Sequence, residues 1–209
     1  MKITTIEVAG LESALKGMRN PMDSWDLSDS KFGDWGFCIG EKDMKLAQNL
    51  ILAGTEHSKF MRQIQVWADV DMPRYWWSEA DTYGFGSKNS CSTMHKLLNN
   101  KSPITIDMFE YCGEDFDIME VVINKLELLR RQFLDAKSQS EKDRYLLRAK
   151  RLLPEGFLQL RTWNTNYAEL RNMYFQRRFH RLKHEWQGVF CKWIESLPYA
   201  KELIMCEKE

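Results

Sequence analysis

The sequence lacks any uninterrupted apolar run of about 18 residues, which predicts that it contains no membrane-spanning helix. Its first 20 residues also lack the apolar stretch and the small-residue cleavage site of a signal peptide. With only 5 prolines and 11 glycines among 209 residues, it has little of the composition typical of disordered segments. These absences predict a soluble, cytoplasmic protein.

Cysteine is also sparse, and its arrangement excludes two common uses. The cysteines are odd in number, lie far apart and include no C-x-x-C pair, so we expect neither a disulfide framework nor a zinc ribbon. His180 and His184 stand four residues apart, but the H-E-x-x-H order and a third ligand are missing. We therefore expect no metal site, and reduced thiols at Cys38, Cys91, Cys112, Cys191 and Cys206.

Net charge is absent as well, because 30 Lys and Arg balance 30 Asp and Glu. A zero balance gives no argument for a nucleic acid or membrane partner. The charge is nevertheless unevenly distributed: residues 1–121 hold 12 basic and 19 acidic side chains, whereas residues 122–209 hold 18 and 11. What the sequence does have is apolar residues, 44% of the total, which at this length predict a single domain spanning residues 1–209.

The hydrophobic periodicity predicts three strands that lie far apart in the sequence, separated by helices. The predicted strands are 2–8, 60–70 and 157–165, and the helices are 11–18, 41–53, 73 to about 83, one within 105–137, 141–153 and a long one over 166–197. Residues 20–40 are predicted to be a long ordered loop, and residues 84–92 a small polar loop. This order favours an α+β fold, with a small, mainly antiparallel sheet packed with long helices.

Three stretches carry residue types suited to ligand binding. The first ends a helix at Gly54 and presents His57 just before a strand; a histidine held by local turn hydrogen bonds is an equal alternative. The second, residues 84–92, follows an aromatic helix with Trp76 and Trp77, and its Gly and Ser residues suit an anion such as phosphate. An ordinary surface turn is the alternative interpretation of that loop.

The third stretch is the long helix predicted to begin at Asn166, which is rich in cations near aromatic rings. Guanidinium groups in such surroundings suit a phosphate or a flat ring, whereas the plainer alternative is a solvated basic face. The cations are Arg171, Arg177, Arg178, Arg181 and Lys183.

Taken in order, these stretches resemble the flavin-dependent thymidylate synthase family. That family has a Gly-His near a helix end, a strand, and a helix leading into an Arg-His-Arg-x7-Ser motif. A Leu-Pro, a strand ending near Asn and a long helix with a functional Arg and Glu follow. The resemblance spans roughly residues 40–195, and the matching positions here are Gly54, His57, Pro73, Ser87, Ser92, Leu153, Pro154, Asn166, Leu170, Arg177 and Glu185.

The diagnostic motif of that family is degenerate in this sequence. Residues 82–84 read Thr-Tyr-Gly where the family has Arg-His-Arg, although Ser92 stands in the final position. Met94 replaces the arginine that contacts the nucleotide phosphate, Ser90 fills the glutamate position and Glu79 the glutamine position. These differences remove positive charge from the implied pocket.

Carried over residue by residue, the resemblance implies a flavin site and a nucleotide site. It implies no covalent nucleophile from the protein, because reduced flavin and methylenetetrahydrofolate do the chemistry in that family, and it leaves the catalytic residues unknown. The implied cofactors are FAD, methylenetetrahydrofolate and NADPH, and the implied assembly is a homotetramer with active sites between subunits. Cofactor-binding residues would be His57, Arg177, Asn166 and Ser87, and substrate-binding residues Ser92, Ser90, Glu79 and Arg161, the last lying one position from the family's strand arginine.

The function implied by the resemblance is reductive methyl transfer to dUMP or a related pyrimidine deoxynucleotide. The degenerate motif and Met94 motivate an alternative, a nucleotide-binding or protein-interaction member of the same fold that has lost methyl transfer. A nucleic-acid binder that uses the basic helix is a weaker third hypothesis, because the resemblance places that helix largely inside the assembly. We therefore expect a nucleotide partner and neither a nucleic acid nor a membrane.

Overall fold

The computed structural model describes residues 1–34 and 36–208. The strands are β1 (Lys2–Ala9), β2 (Lys31–Gly33), β3 (Gly36–Cys38), β4 (Gln65–Pro73), β5 (Ser87–Ser90) and β6 (Leu158–Asn166). Four of them form one sheet in the order β1-β4-β6-β5, and β2 pairs with β3 in an antiparallel hairpin. Together with the helices, this small antiparallel sheet confirms the predicted α+β class.

The helices follow the predicted apolar spacing closely except toward the C-terminus. The α-helices are α1 (Leu11–Arg19), α2 (Glu41–Ala53), α3 (Arg74–Ala80), α4 (Thr93–Lys96), α5 (Phe116–Asp135), α6 (Gln139–Leu152), α7 (Tyr167–Arg177) and α8 (Lys192–Glu195). A π-helical segment, Lys183–Cys191, leads into α8, and another spans Ala200–Ile204. Short 3-10 turns occupy Asn20–Met22, Trp25–Leu27, Lys59–Gln63, Ile106–Met108 and Gly113–Asp115.

The chain divides into two compact units that interleave along the sequence. The first unit contains Met1, Val70–Thr82 and Asn89–Arg161, and the second contains Lys2–Asp69, Tyr83–Lys88 and the chain from Thr162 onward. The single domain over residues 1–209 stays a prediction.

The core of the first unit is built by the helical hairpin of α5 and α6. Ser138 separates the two helices and caps α6 through a capping box with Glu141, in which each side chain bonds the backbone of the other residue. The apolar stripe of α5 lies on one face because its members recur every three or four residues. The buried cluster comprises Leu97, Leu98, Ile104, Phe109, Ile123, Leu126, Leu129, Ala149 and Leu153.

Large aromatic side chains dominate the core of the second unit. Trp163 stacks against Phe190 at a centroid distance of 6.3 Å, and Trp186 meets Phe190 edge-on at 5.2 Å. Helix α7 starts where Asn166 accepts a hydrogen bond from the Glu169 backbone N–H at 3.0 Å. That cap confirms the predicted N-terminus of the helix.

The prediction of one helix over residues 166–197 is wrong, because α7 ends at Arg177. At the break, the Leu182 backbone N–H donates to His180 Nδ1 at 3.2 Å, and Gln187 Nε2 donates to the His180 carbonyl oxygen at 2.9 Å. These side chains satisfy backbone groups that a continuous helix would have paired, so the chain turns there and resumes as the π-helical segment.

Both predicted loops contain strands. Within residues 20–40, β2 and β3 pair, and Trp35, which was predicted to be part of that loop, lies outside the described residues. Within residues 84–92, β5 adds an edge strand to the sheet. Gly86 permits this approach: its φ is 114°, and a Cβ there would lie 2.4 Å from the Asn164 carbonyl oxygen. Strand β4 also begins later than predicted, because residues 59–63 form a 3-10 turn.

Candidate functional site

The first unit contains a cavity of about 330 Å³ that includes Ser92, and we call it the Ser92 cavity. Its lining combines apolar side chains with several groups that hydrogen-bond, which is the usual character of a small-molecule site. The polar members are Asp71, Ser92, Thr93, Lys96, Asn100, Ser102, Asp107 and Gln159, and the others are Cys91, Leu97, Ile104, Met108, Phe157, Leu158 and Leu160.

Hydrogen bonds to β6 fix the segment that carries Ser92. The Cys91 backbone N–H donates to the Leu160 carbonyl oxygen at 2.8 Å, and Gln159 Nε2 donates to the Cys91 carbonyl oxygen at 3.2 Å. Ser92 then begins the short helix α4, where its hydroxyl accepts from the His95 backbone N–H at 3.4 Å. The predicted substrate residue is therefore half-buried and held at the cavity wall.

A buried ion pair holds the segment 100–104, which supplies another part of the lining. Arg130 donates through Nε to Glu127 at 2.7 Å and through Nη1 to the Asn100 carbonyl oxygen at 2.8 Å. Glu127 also accepts from the Ile104 backbone N–H at 3.0 Å. The Arg130 hydrogen bond is the largest cause that lowers the pKa of Glu127 to about 2, so this carboxylate is ionised at neutral pH.

The charges of the Ser92 cavity are mixed. Lys96 is the only cation among its lining side chains, against the carboxylates of Asp71 and Asp107. Lys150 approaches the same segment, since its Nζ donates to Thr93 Oγ1 at 2.6 Å. Burial, with a smaller effect from Arg74, lowers the pKa of Lys150. The pair Lys96 and Lys150 therefore places positive charge beside the hydroxyls of residues 92 and 93.

Asp71 is a site residue that the sequence analysis missed. It lies half-buried near the end of β4, and burial raises the pKa of its carboxyl group. Among the described residues, no hydrogen bond or ion pair involves its side chain. The one available signal was a carboxylate within a strand whose alternate residues, Val70 and Met72, are fully buried.

Three other predicted substrate residues belong to the first unit but do not line this cavity. Arg161 donates to Asp81 at 2.9 Å and to Gln159 Oε1 at 3.3 Å, and its guanidinium group lies 4.2 Å from the Trp77 ring centroid. Glu79 lies on α3, and Ser90 is exposed on β5. Arg161 thus bonds to the cavity lining through Gln159, which is one of the lining residues.

His57 lines a different cavity, in the second unit, of about 500 Å³. The turn that carries it follows α2, where Gly54 has a φ of 118° and its carbonyl oxygen accepts from the His57 backbone N–H at 3.1 Å. The lining is largely apolar, with His57 exposed among it. The members are Gly17, Met18, Pro21, Met22, Ser24, Leu46, Leu50, Glu56, His57, Lys59, Phe60 and Gln63.

Arg177, at the end of α7, is bound by neighbouring side chains. Its Nε donates to the Tyr83 hydroxyl at 2.8 Å, and that hydroxyl donates to Gln176 Oε1 at 2.9 Å. The Arg177 guanidinium group also lies 4.4 Å from the centroid of the buried Trp186 ring. Tyr83 occupies the centre of the degenerate motif, so a motif residue of this chain binds the arginine at the end of α7.

Of the four predicted cofactor residues, His57 lines the cavity of the second unit described above, and the other three do not. Asn166 is buried and caps α7, Ser87 is exposed on β5, and Arg177 contacts Tyr83 and Trp186. The His57 cavity has the residue types that suit a flat ring: Met18, Leu50 and Phe60 supply apolar contact, and polar groups stand beside them. His57 and this lining are therefore the residues that would hold a flavin ring.

The described part of the chain contains neither a cluster of metal-ligating side chains nor a helix suited to cross a membrane. Within residues 1–34 and 36–208, no three His, Cys, Asp or Glu side chains cluster as metal ligands would. None of the described helices combines the length and the apolar character needed to cross a bilayer.

Solved structures with the same fold are found among flavin-dependent thymidylate synthases. Two crystal structures of the enzyme ThyX from Helicobacter pylori, both with FAD and dUMP, are similar to this chain. The sequence identities are 18% and 17%, the TM-score is 0.73 for each, and the match covers 100% of both chains. No protein-family model matches the sequence, and neither does any curated protein. The chain therefore has the fold of the flavin-dependent thymidylate synthases over its whole length.

Proposed function

We propose that this protein is a flavin-dependent thymidylate synthase-like enzyme that acts on a pyrimidine deoxynucleotide. The reaction would be reductive methyl transfer to dUMP or a related nucleotide, and the Ser92 cavity would bind that nucleotide. The observation that carries the proposal is the position of Ser92: the serine at the end of the degenerate motif lines the 330 Å³ cavity. The enzymes that share the fold have dUMP and FAD bound, which supports the same ligand classes here.

The lining of the Ser92 cavity suits the two parts of a nucleotide. The hydroxyls of Ser92 and Thr93 would donate to the phosphate, beside the positive charges of Lys96 and Lys150. Apolar side chains such as Phe157 would contact the base and sugar. Ser90, Glu79 and Arg161 remain proposed substrate residues, and Arg161 would have to exchange its bond with Asp81 for one with the ligand.

The flavin would lie against the His57 cavity, with His57 as a hydrogen-bonding group at its edge. When bound, FAD would supply the redox chemistry, with methylenetetrahydrofolate as the one-carbon source and NADPH as the reductant. Arg177, Asn166 and Ser87 stay proposed cofactor residues. Because they lie outside that cavity, they would contact either another part of the FAD or an FAD bound by a second copy of the chain, as in the homotetramer that the resemblance implies.

The test measures flavin content, nucleotide binding and turnover on the purified protein. We expect FAD in the supernatant after denaturation, and tritium release from a 5-tritiated pyrimidine deoxynucleotide, dUMP or dCMP, when methylenetetrahydrofolate, FAD and NADPH are present. Lys96→Met should weaken nucleotide binding about tenfold, since it removes a charge-assisted contact, whereas Lys101→Met, exposed and outside the cavity, should not. A colourless protein that releases no flavin and gains no thermal stability from FAD would contradict the flavin chemistry.

A second candidate function is nucleotide or protein binding without methyl transfer. Two observations favour it: the ion pair between Arg161 and Asp81, and the contact of Arg177 with Tyr83. In both, an arginine at or beside a position that contacts ligands in the related enzymes is engaged by the protein itself. This candidate predicts nucleotide binding with no tritium release under any combination of cofactors, and measurable release would exclude it.

A further inference from the structure

The Ser92 cavity holds a carboxylate whose surroundings do not satisfy it. Asp71 is half-buried, and among the described residues none of the hydrogen bonds or ion pairs reaches its side chain. Among the described residues, the positive charge of the Met1 amino group is the one influence that opposes the cost of its burial. Asp69, two residues earlier in β4, instead accepts a 2.6 Å hydrogen bond from the Thr162 hydroxyl. A buried carboxylate without donors is costly, so a ligand that brings donors would be favoured.

The two pyrimidine bases present different edges to such a carboxylate. Cytosine offers an exocyclic amino group, and a carboxylate accepting from that amino group is a recurrent recognition contact. Cytosine and a carboxyl group can also share one proton, carried on either partner, and so form two parallel hydrogen bonds. Uracil offers a single N–H flanked by two carbonyl oxygens, which repel an ionised carboxylate. A negative charge in the pocket therefore discriminates against uracil.

We infer that the nucleotide bound in the Ser92 cavity carries cytosine, and that Asp71 is the residue that reads the base. This inference rests on the proposed nucleotide-binding function and specifies its substrate class. The remaining lining agrees with it, because the cations and hydroxyls come from residues 92–96 and α6, whereas Asp71 comes from β4. The phosphate and the base therefore have separate partners, so affinity and specificity can be altered independently.

The experiment compares dCMP with dUMP by isothermal titration calorimetry on the full-length protein at one pH and one ionic strength. The unaltered protein should bind dCMP at least about tenfold more tightly than dUMP. Asp71→Asn replaces the carboxylate with an amide that donates to the uracil carbonyl, so the preference should fall to about one or reverse. Asp107→Asn removes the same charge from an exposed position of the cavity and should keep the preference.

The outcomes separate this inference from the function on which it rests. If neither nucleotide binds, the proposed nucleotide site is wrong, and the inference falls with it. If dUMP binds as tightly as dCMP or more tightly, the cytosine assignment is overturned while the nucleotide site stands. If Asp107→Asn changes the preference as much as Asp71→Asn does, the assignment to Asp71 is overturned. Lys96→Met should weaken both nucleotides equally, because the phosphate is common to them.

Discussion

Two aspartates illustrate how differently this protein uses a carboxylate away from water. Asp43 is completely buried on α2 and accepts hydrogen bonds from Arg19 Nε at 2.6 Å and from the hydroxyls of Ser28 and Ser30. Burial raises its pKa, but those hydrogen bonds and the Arg19 charge lower it by more, so the net pKa is low. Asp71 is half-buried in the Ser92 cavity, and its pKa is raised because no described side chain offsets the burial.

The difference separates a structural carboxylate from one available to a ligand. The partners of Asp43 come from α1 and from residues 28–30, so its ionised form ties a turn-rich segment to two helices. The Asp71 side chain, by contrast, makes no hydrogen bond or ion pair that links elements of the described chain. A carboxylate that costs free energy in the ligand-free protein and lines a cavity is a candidate for recognition.

The largest effect should come from Asp43→Asn, which would leave the buried Arg19 guanidinium without a counter-charge. Breaking a buried ion pair in this way costs about 3–5 kcal/mol, which urea denaturation would measure as a loss in the free energy of unfolding. Asp26→Asn, an exposed aspartate of the same segment, is the matched control and should change stability by less than about 0.5 kcal/mol. Equal losses of stability from Asp43→Asn and Asp26→Asn would show that Asp43 has no special structural role. The difference proposed between Asp43 and Asp71 would then be wrong.

The next largest effect should be the contribution of Glu127 to the pH dependence of the free energy of unfolding. Its pKa is about 2 in the folded protein and about 4.5 when unfolded, so the folded value is depressed. Its stabilisation is therefore fully present above pH 4.5 and is lost as the pH falls toward 2, by about 3 kcal/mol in all. Urea denaturation between pH 7 and pH 3 should show Glu127→Gln losing less stability than the unaltered protein. The control Glu120→Gln, which changes an exposed glutamate of the same helix, should retain the original slope.

Tyr83→Phe tests an intermediate case, a hydroxyl that bridges Arg177 and Gln176. Removing it should lower the free energy of unfolding by about 1 kcal/mol, because the Arg177 Nε donor loses a buried acceptor. Tyr111→Phe, whose ring contacts Phe116, should cost less than about 0.5 kcal/mol. If Tyr83→Phe lowered the free energy of unfolding no more than the control does, the hydrogen bond from Arg177 to Tyr83 would not stabilise the protein.

The smallest effect on stability should come from Asp71→Asn, the same chemical change that is most damaging at position 43. Because Asp71 satisfies no donor of the described chain, its loss should change the free energy of unfolding by less than about 0.5 kcal/mol or raise it slightly. Thermal and urea unfolding without ligand would measure this. A loss above about 1 kcal/mol would mean that Asp71 has a structural role, and the contrast with Asp43 would disappear.

Elements fixed by local patterns could be predicted from the sequence. Helices α2, α5 and α6 have apolar residues at helical spacing and clear end signals, such as Gly54 after α2 and Ser138 before α6. The hairpin of β2 and β3, edge strand β5 and the break after Arg177 depend on partners distant in sequence or on side chains that satisfy backbone groups. Local propensity carries no information about such partners.

The candidate site also has features that could be predicted from the sequence and features that could not. Ser92 and His57 could be named from the order of motifs, and each does line a cavity. The engagement of Arg161 by Asp81 and of Arg177 by Tyr83 could not be foreseen, because each pair is more than 75 residues apart. Asp71 was missed because its distinguishing properties, burial and the lack of a partner among the described residues, belong to the folded structure, and its place between two apolar strand residues does not reveal them.

The interleaving of the two units has a consequence for how the protein can be dissected. Because the chain leaves and re-enters each unit, no single cut point yields either one as an uninterrupted fragment. The Ser92 cavity in particular needs Asp71 and also residues 91–160, which are separated by a stretch that belongs to the other unit. A single continuous fragment would therefore lack part of one unit or carry part of the other. Point substitution in the intact chain is the way to study either unit alone.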